Sequence, residues 1–144
     1  SYPTGYLSFD FAMSLKDIDH VAIPIENVEE MLVFYEELGF HLDRDRAPSF
    51  YSVHLGNTKI NFHAPSLWHS ERFTLRGRDA IPGCGDFCLV WEGTEGQLHS
   101  MLYNNKVPIV EGPVERDGAM AGGRRGISTY VRDPDGNLIE FIRY

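Results

Sequence analysis

Apolar and polar side chains alternate along several short stretches of the first half of the chain, with one stretch of helical spacing among them. Residues 18–25 place their bulky apolar side chains on one face, which predicts a buried strand. Residues 28–38 carry an apolar stripe at helical spacing, and Gly39 follows where helices commonly end. Asn27, with Glu30 three residues later, is a variant of the capping box. Three further strands are predicted at about 41–47, 50–55 and 58–63, which gives the order β-α-β-β-β.

The second half of the chain predicts the same order of elements. Residues 85–91 alternate like a strand, and Thr94 with Gln97 is a second helix-start signature. A Gly-rich run at 111–126 surrounds a short strand, and the turn sequence Asp-Pro-Asp-Gly-Asn at 133–137 predicts a closing β-hairpin. Between the halves, the long aperiodic connection is either a linker or a segment that covers a substrate.

The two halves also correspond residue by residue. His20 matches Asp86 at an offset of 66 residues, and Asn61 matches Glu140 at an offset of 79. In each strand the named residue lies opposite the bulky apolar face. If helices cover the apolar faces, all four residues line the concave face of one curved sheet or of two paired sheets. An imidazole, two carboxylates and an amide oxygen would form a hard-donor site suited to Fe, Mn, Ni, Co or Mg.

Composition limits the class of protein. The chain has 144 residues, 42% of them hydrophobic, which suits one compact domain or two small modules that share a core. A net charge of −8 argues against nucleic acid or an anionic membrane as the main partner. No apolar run approaches the roughly 20 residues that span a bilayer. Cys84 and Cys88, if on one extended strand, lie too far apart for a disulfide. With no secretory signal in the sequence, a cytoplasmic protein is expected.

Three motifs together resemble the vicinal oxygen chelate superfamily, which includes glyoxalase I, extradiol dioxygenases and bleomycin-binding proteins. The motifs are Ile-Asp-His-Val-Ala-Ile at 18–23, Phe-Tyr-Glu-Glu-Leu-Gly-Phe at 34–40 and Asp-Pro-Asp-Gly-Asn-Leu-Ile-Glu at 133–140. Residues 58–63 and 81–89 are most similar to small glyoxalase-domain proteins. The resemblance implies an α+β fold of two tandem βαβββ modules, which form a curved mixed sheet around a cavity. The modules are expected at 16–64 and 84–144, joined by loop 65–83, after a leader at 1–15 that is disordered or left from recombinant expression.

The family takes metal ligands from the first and fourth strands of each module, which implies His20, Asn61, Asp86 and Glu140 here. His20 and Glu140 match the family pattern. Asn61 stands where glyoxalase I usually has Glu, and Asp86 stands where most active members have His. Alternatively, Asn61 contacts the metal ligands without binding the metal itself. Asp86 is alternatively a hydrogen-bonded residue that lines the cavity.

Two further residues are implied as catalytic, alongside Glu140. His63 lies two residues from Asn61 on the same face, where it could replace the missing imidazole or act as a base or pocket wall. Tyr130 matches the tyrosine that extradiol dioxygenases place beside their catechol, and is alternatively a packed tyrosine at the cavity rim.

The resemblance therefore implies a divalent-metal-dependent, glyoxalase-I-like lyase or isomerase, with Ni, Co, Mn, Fe or Zn as the metal. It would act through an enediolate on a small substrate with vicinal oxygens. One alternative is an extradiol-type, catechol-cleaving dioxygenase. Another is a metal-free protein of the drug-binding and resistance type, with Trp68, Phe73 and Trp91 as contacts. Family members of this size usually form homodimers, sometimes by exchanging modules so that each site draws on two chains.

Overall fold

The fold contains two successive modules of one helix and four strands each. A computed structural model describes residues 14–144 and, except at position 121, their side chains. Most of the predicted leader lies outside the described residues. The elements are β1 (His20–Pro24), α1 (Val28–Leu38), β2 (His41–Asp43), β3 (Phe50–Leu55), β4 (Thr58–His63), α2 (Pro65–Trp68), β5 (Asp86–Val90), α3 (Glu95–Asn104), β6 (Glu111–Asp117), α4 (Met120–Gly123), β7 (Arg125–Arg132) and β8 (Leu138–Arg143). No helix in this described part is long and apolar enough to cross a membrane.

The eight strands form two four-stranded mixed sheets with the same topology. Their orders are β1-β4-β3-β2 and β5-β8-β7-β6, with the first strand of each module parallel to the fourth. His20 pairs with Lys59 in the first sheet, and Asp86 pairs with Leu138 in the second. These pairs differ by the same offsets of 66 and 79 that relate the two halves of the sequence. The prediction of two tandem βαβββ modules is therefore confirmed.

One hydrophobic core serves both modules. Helix α1 contributes Met31, Leu32 and Tyr35, all fully buried, and α3 contributes Leu98 and Leu102, each 1% exposed. Burying such side chains stabilises the fold by about 1.5–3 kcal/mol each. Because the apolar faces of both sheets join this cluster, their polar faces point away from it.

The ends of the two long helices show which local signals held. Gly39 has the left-handed conformation, with φ 111°, that the prediction of a helix end at this position requires. Thr94 and Gln97 form the complete capping box of α3. Asn27 occupies the N-cap of α1, but its side chain makes no capping bond there, so the predicted capping box is wrong for this helix.

The carboxylate of Asp135, in the turn of the closing hairpin, binds the backbone at the start of α1. It accepts hydrogen bonds from the backbone N–H of Glu26 at 2.8 Å and of Asn27 at 2.9 Å. A negative charge at this end of α1 also interacts favourably with the helix dipole. The turn of the second module therefore adds a carboxylate to the start of α1, beside Glu29 and Glu30 of its first turn.

Other boundaries also differ from the prediction. Strand β2 ends at Asp43 rather than near residue 47, because Asp43 Oδ1 accepts a bond from the Asp45 N–H and turns the chain. The short helices α2 and α4 lie in segments that were expected to be irregular. Both cysteines are free, as predicted.

Candidate functional site

Glu140 lies on the polar face of the second sheet, in the middle of β8. The register places Cys88 of β5 on one side of it and Tyr130 of β7 on the other. The hydroxyl of Ser128, a fully buried residue, donates a hydrogen bond of 2.5 Å to Glu140 Oε2. This bond orients the carboxylate, and the Tyr130 hydroxyl and the Cys88 thiol also interact with it.

Tyr130 is held by an arginine on the neighbouring strand. Arg116 Nε donates to the Tyr130 hydroxyl at 3.0 Å, and its guanidinium carbon lies 5.6 Å from the centre of the ring. Arg116 also donates to Glu111 Oε2 at 3.0 Å. Burial raises the pKa of Tyr130, with Arg116 acting in the opposite direction, so this phenol is neutral near pH 7. Tyr130 is therefore a hydroxyl with a fixed orientation beside Glu140.

Cys88 presents a thiol to the same face. Burial of the sulfur, together with the charge of Glu140, raises the pKa of Cys88 to about 12. A substantial part of the residue is nevertheless exposed. The thiol is therefore protonated near pH 7 and is a poor nucleophile at that pH.

The polar face of the first sheet presents Asn61 in the position equivalent to Glu140. Asn61 is 8% exposed, and the hydroxyl of Ser52, directly opposite in β3, donates to its Oδ1 at 2.8 Å. A serine thus holds the fourth-strand oxygen in each module. A cavity of about 470 Å³ opens on this face and is lined by Asp43, Asp45, Arg46, Phe50, Ser52, Lys59 and Asn61.

His63 lies deeper on the same face, among aromatic rings. Its ring centre is 4.9 Å from that of Phe73, in an edge-to-face arrangement, and 5.9 Å from that of Phe50. Burial lowers the pKa of His63, and the nearby charge of Arg76 lowers it further. The imidazole is therefore neutral at pH 7, in a form that can bind a metal or accept a proton.

His20 and Asp86 occupy equivalent positions at the starts of β1 and β5, and both are exposed. His20 Nδ1 lies 2.6 Å from Asp19 Oδ1, which leaves Nε2 free. A carboxylate on the far nitrogen is the usual partner of a metal-binding histidine, because it orients the ring and raises its basicity. Asp86 has no such fixed partner among the described hydrogen bonds.

Within a single chain, the four predicted ligands divide between two faces. His20 and Asn61 lie on neighbouring strands of the first sheet, and Asp86 and Glu140 on neighbouring strands of the second. Across residues 14–144, no three His, Cys, Asp or Glu side chains come together as a metal site. Each module therefore supplies half of the predicted ligand set.

The long connection approaches the polar face of the first sheet through Phe73. Arg76 donates to the carbonyls of Trp68, at 2.7 Å, and of Ala80. The indole N–H of Trp68 donates to the Ile25 carbonyl at 3.0 Å. Arg76 and Trp68 thus hold the connection against the first module.

Of the three aromatic residues expected to contact a ligand, Trp91 lies on the other side of its sheet. Its ring meets Phe141 edge to face, with ring centres 6.4 Å apart, and its N–H donates to the Thr94 carbonyl at 2.9 Å.

Sequence reasoning also missed Ser52, Ser128 and Arg116. Their contacts become visible only once the register between neighbouring strands is known.

The comparison with known proteins agrees with this architecture. The family model described as the Glyoxalase/Bleomycin resistance protein/Dioxygenase superfamily matches residues 17–141, and the chain belongs to this superfamily. It is 33% identical over 136 residues to the virulence protein STM3117 of Salmonella typhimurium, covering 92% of this chain and 87% of that protein. The crystal structure of STM3117 has a TM-score of 0.79, over 92% of this chain and 99% of that one.

Two further proteins are also similar to this chain. The glyoxalase domain-containing protein RDO1 of Mycosarcoma maydis is 30% identical over 132 residues, covering 92% of this chain and 70% of that protein. The structure of a lactoylglutathione lyase from Agrobacterium tumefaciens has a TM-score of 0.67 at 16% identity, over 90% of this chain and 94% of that one. The second similarity supports the fold alone.

Proposed function

We propose that the protein is a divalent-metal-dependent, glyoxalase-I-like enzyme whose substrate is a small molecule with vicinal oxygens. The observation that carries the proposal is Glu140, whose Oε2 accepts a bond of 2.5 Å from Ser128 and whose carboxylate lies between Tyr130 and Cys88 on the polar face. A carboxylate held in this way has the orientation needed to bind a metal and to take a proton from carbon.

The donors suit a first-row divalent ion such as Ni, Co, Mn, Fe or Zn. His20 offers Nε2 while Asp19 holds its other nitrogen, and Asp86 and Glu140 offer carboxylate oxygens. When bound, the ion would supply Lewis acidity to two neighbouring oxygens of the substrate. In this proposal Glu140 moves the proton, and the neutral Tyr130 hydroxyl orients the substrate.

We infer that a complete site requires two chains. Among residues 14–144, strands β1 and β5 each lie at an edge of their sheet, with one side unpaired. The polar faces beside these edges expose His20, Asp86 and Val90, the last of which is 53% exposed. Open strand edges are ready partners for another chain. In the proposed homodimer, β1 of one chain adjoins β5 of its partner, so that His20 and Glu140 of different chains share one site.

Mixing two inactive variants tests both parts of the proposal. His20→Asn and Glu140→Gln should each abolish high-affinity binding of Ni²⁺ or Co²⁺, as measured by calorimetry on protein stripped with EDTA. After unfolding and refolding together, half of the dimers contain one chain of each kind, and each of these has one intact site. About a quarter of the wild-type metal sites should therefore return.

A site built within one chain would recover no binding on mixing. Unchanged metal binding in both single variants would overturn the metal proposal. Exposed Glu37→Gln is a matched control on α1, away from both polar faces. It should behave as the wild type does.

A metal-free binding protein is the second candidate, favoured by the aromatic cluster of Phe50, His63 and Phe73 beside the 470 Å³ cavity. A planar aromatic ligand could stack on these rings. This candidate predicts that a Phe73→Ala variant loses ligand-dependent fluorescence changes, and that EDTA has no effect on them. Loss of the changes on adding EDTA would favour the metalloenzyme.

A further inference from the structure

A second group of metal-binding side chains lies on the edge hairpin of the first sheet. His41 of β2 is directly opposite His54 of β3. The neighbouring pair, Leu42 and Val53, belongs to the core side, so the two histidines lie on the opposite, polar face. Residues paired in this way have Cβ atoms about 4.5–5.5 Å apart, close enough for both imidazoles to reach one ion.

Asp43 adds a carboxylate to the same face. Its Oδ2 lies 3.8 Å from His54 Nε2, and its Oδ1 accepts a hydrogen bond of 2.9 Å from the Asp45 N–H. That bond orients the carboxylate and leaves Oδ2 directed at His54. The side chains of His54 and Asp43 are 41% and 38% exposed, and a cavity of about 410 Å³ lies over them and His41.

The surrounding charges permit a cation at this position. Arg44 is already engaged with Glu29 through two hydrogen bonds of 3.2 Å. Lys59 lies next to His54 in β4, and the carboxylates of Asp43 and Asp45 face the same region. Arg46 lines the cavity of about 470 Å³ together with Lys59, so the two carboxylates balance one lysine and one arginine near the histidines.

We propose that His41, His54 and Asp43 form a separate, exposed site for a borderline first-row divalent ion of the Zn²⁺, Ni²⁺ or Cu²⁺ class. Two imidazole nitrogens and one carboxylate oxygen, with water at the remaining positions, are a donor set that such ions accept. In the described conformation His54 and Asp43 lie together without a third donor beside them, and rotation of the exposed His41 side chain on binding would complete the set. The bound ion links the three-residue edge strand β2 to β3.

This site is distinct from the one proposed around His20 and Glu140. Strands β3 and β2, which carry this site, lie two and three strand spacings from β1, so its residues are about 10–14 Å from His20 across the sheet. The test therefore starts from the full-length His20→Asn/Glu140→Gln double variant, in which the first proposed site is removed. If the first proposal fails, the variants of His41, His54 and Asp43 still decide the present one.

Titration of this stripped double variant with Zn²⁺ should show one remaining binding equivalent. Adding His41→Asn or His54→Asn should weaken its affinity at least tenfold, and Asp43→Asn should weaken it less. His99→Asn is the matched control, because His99 also lies beside a carboxylate, with Nε2 2.6 Å from Glu95 Oε2, but on α3. It should leave the remaining equivalent unchanged.

Paramagnetic Cu²⁺ locates the ion independently of affinity. At less than one equivalent it should broaden the ring resonances of His41 and His54 and leave those of His99 sharp. Zn²⁺ affinity unaltered in a His41→Asn/His54→Asn variant would overturn the proposal, as would the absence of any remaining equivalent. Circular dichroism checks that the variants fold, which is expected because all three side chains are exposed or nearly so.

Discussion

The hydroxyl of Tyr35 donates a hydrogen bond of 2.7 Å to Asp133 Oδ2, joining the first helix to the turn of the last hairpin. Both residues are buried, and Asp133 also accepts bonds from the backbone and side-chain N–H groups of Asn137. Burial raises the pKa of Asp133, while its hydrogen-bond donors act in the opposite direction. The two modules therefore share a polar contact inside the core as well as apolar packing.

Tyr35→Phe tests this contact. The variant keeps the ring but leaves the buried Asp133 carboxylate with one donor fewer, which should lower the free energy of unfolding by about 1–3 kcal/mol. Urea denaturation measures this change. Tyr103→Phe is the control, because Tyr103 is 74% exposed and the variant should stay within about 0.5 kcal/mol of the wild type. Equal stability of the two variants would show that the bond contributes nothing net.

His63 should make stability depend on pH. Its folded-state pKa is lowered, first by burial and then by Arg76, so the neutral form stabilises the fold. That contribution is present above the unfolded pKa of about 6.5 and is lost as the pH falls through the lower folded value. The stability of the wild type relative to His63→Gln should therefore decrease between pH 7.5 and pH 5. A difference that does not change with pH would contradict this.

NMR titration of His63 can separate the effect of burial on its pKa from the effect of Arg76. Arg76→Met removes the nearby charge and should raise the His63 pKa, which should still stay below 6.5 because burial is the larger cause. Arg72→Met, at an exposed position in the same connection, is the control. A titration midpoint that is the same in both variants would rule out the influence of Arg76.

Cys88 should react slowly despite its exposure. With a pKa of about 12, its thiolate is scarce at pH 9, and the greater nucleophilicity of a more basic thiolate offsets this only in part, so alkylation by iodoacetamide should be roughly 15- to 30-fold slower than for a free thiol. The measurement uses a Cys84→Ser background in EDTA, followed by mass spectrometry. Glu140→Gln removes one of the causes of the shift and should speed the reaction. Rapid labelling of Cys88 before that change would contradict the assignment.

Ser128 should position Glu140 for metal binding. Ser128→Ala removes the 2.5 Å bond and should weaken Ni²⁺ or Co²⁺ binding about tenfold to a hundredfold. Ser52→Ala removes the equivalent bond to Asn61 and should weaken metal binding less, since the amide oxygen of Asn61 is a neutral metal ligand. Calorimetry on stripped protein compares the two. A larger loss in Ser52→Ala would make Asn61 the more important ligand.

Local signals explain which parts of the fold were predictable from sequence. Gly39, the Thr94–Gln97 pair and the turn at 133–137 act through their own backbone or near neighbours, and each appears where the sequence places it. Strand alternation, with the matched offsets of the two halves, was enough to define the tandem modules. None of these signals depends on contacts distant in sequence.

Contacts between distant residues explain what was missed. Asp135 acts at the start of α1 from 108 residues away, and Ser128 reaches Glu140 only through the register of β7 and β8. Alternation correctly assigned each candidate ligand to a polar face. It could not show that the two polar faces of one chain lie apart, because that depends on how the apolar faces of both sheets join one core.

The use of Asp135 at the start of α1 has a consequence for biosynthesis. At about 5–20 residues per second, the ribosome adds the intervening 108 residues in roughly 5–20 s. Throughout that interval the N–H groups of Glu26 and Asn27 lack the Asp135 carboxylate, and the Tyr35 hydroxyl lacks its acceptor. Until the last hairpin has been translated, the nascent first module therefore exposes the surface that contacts this hairpin to water or to chaperones.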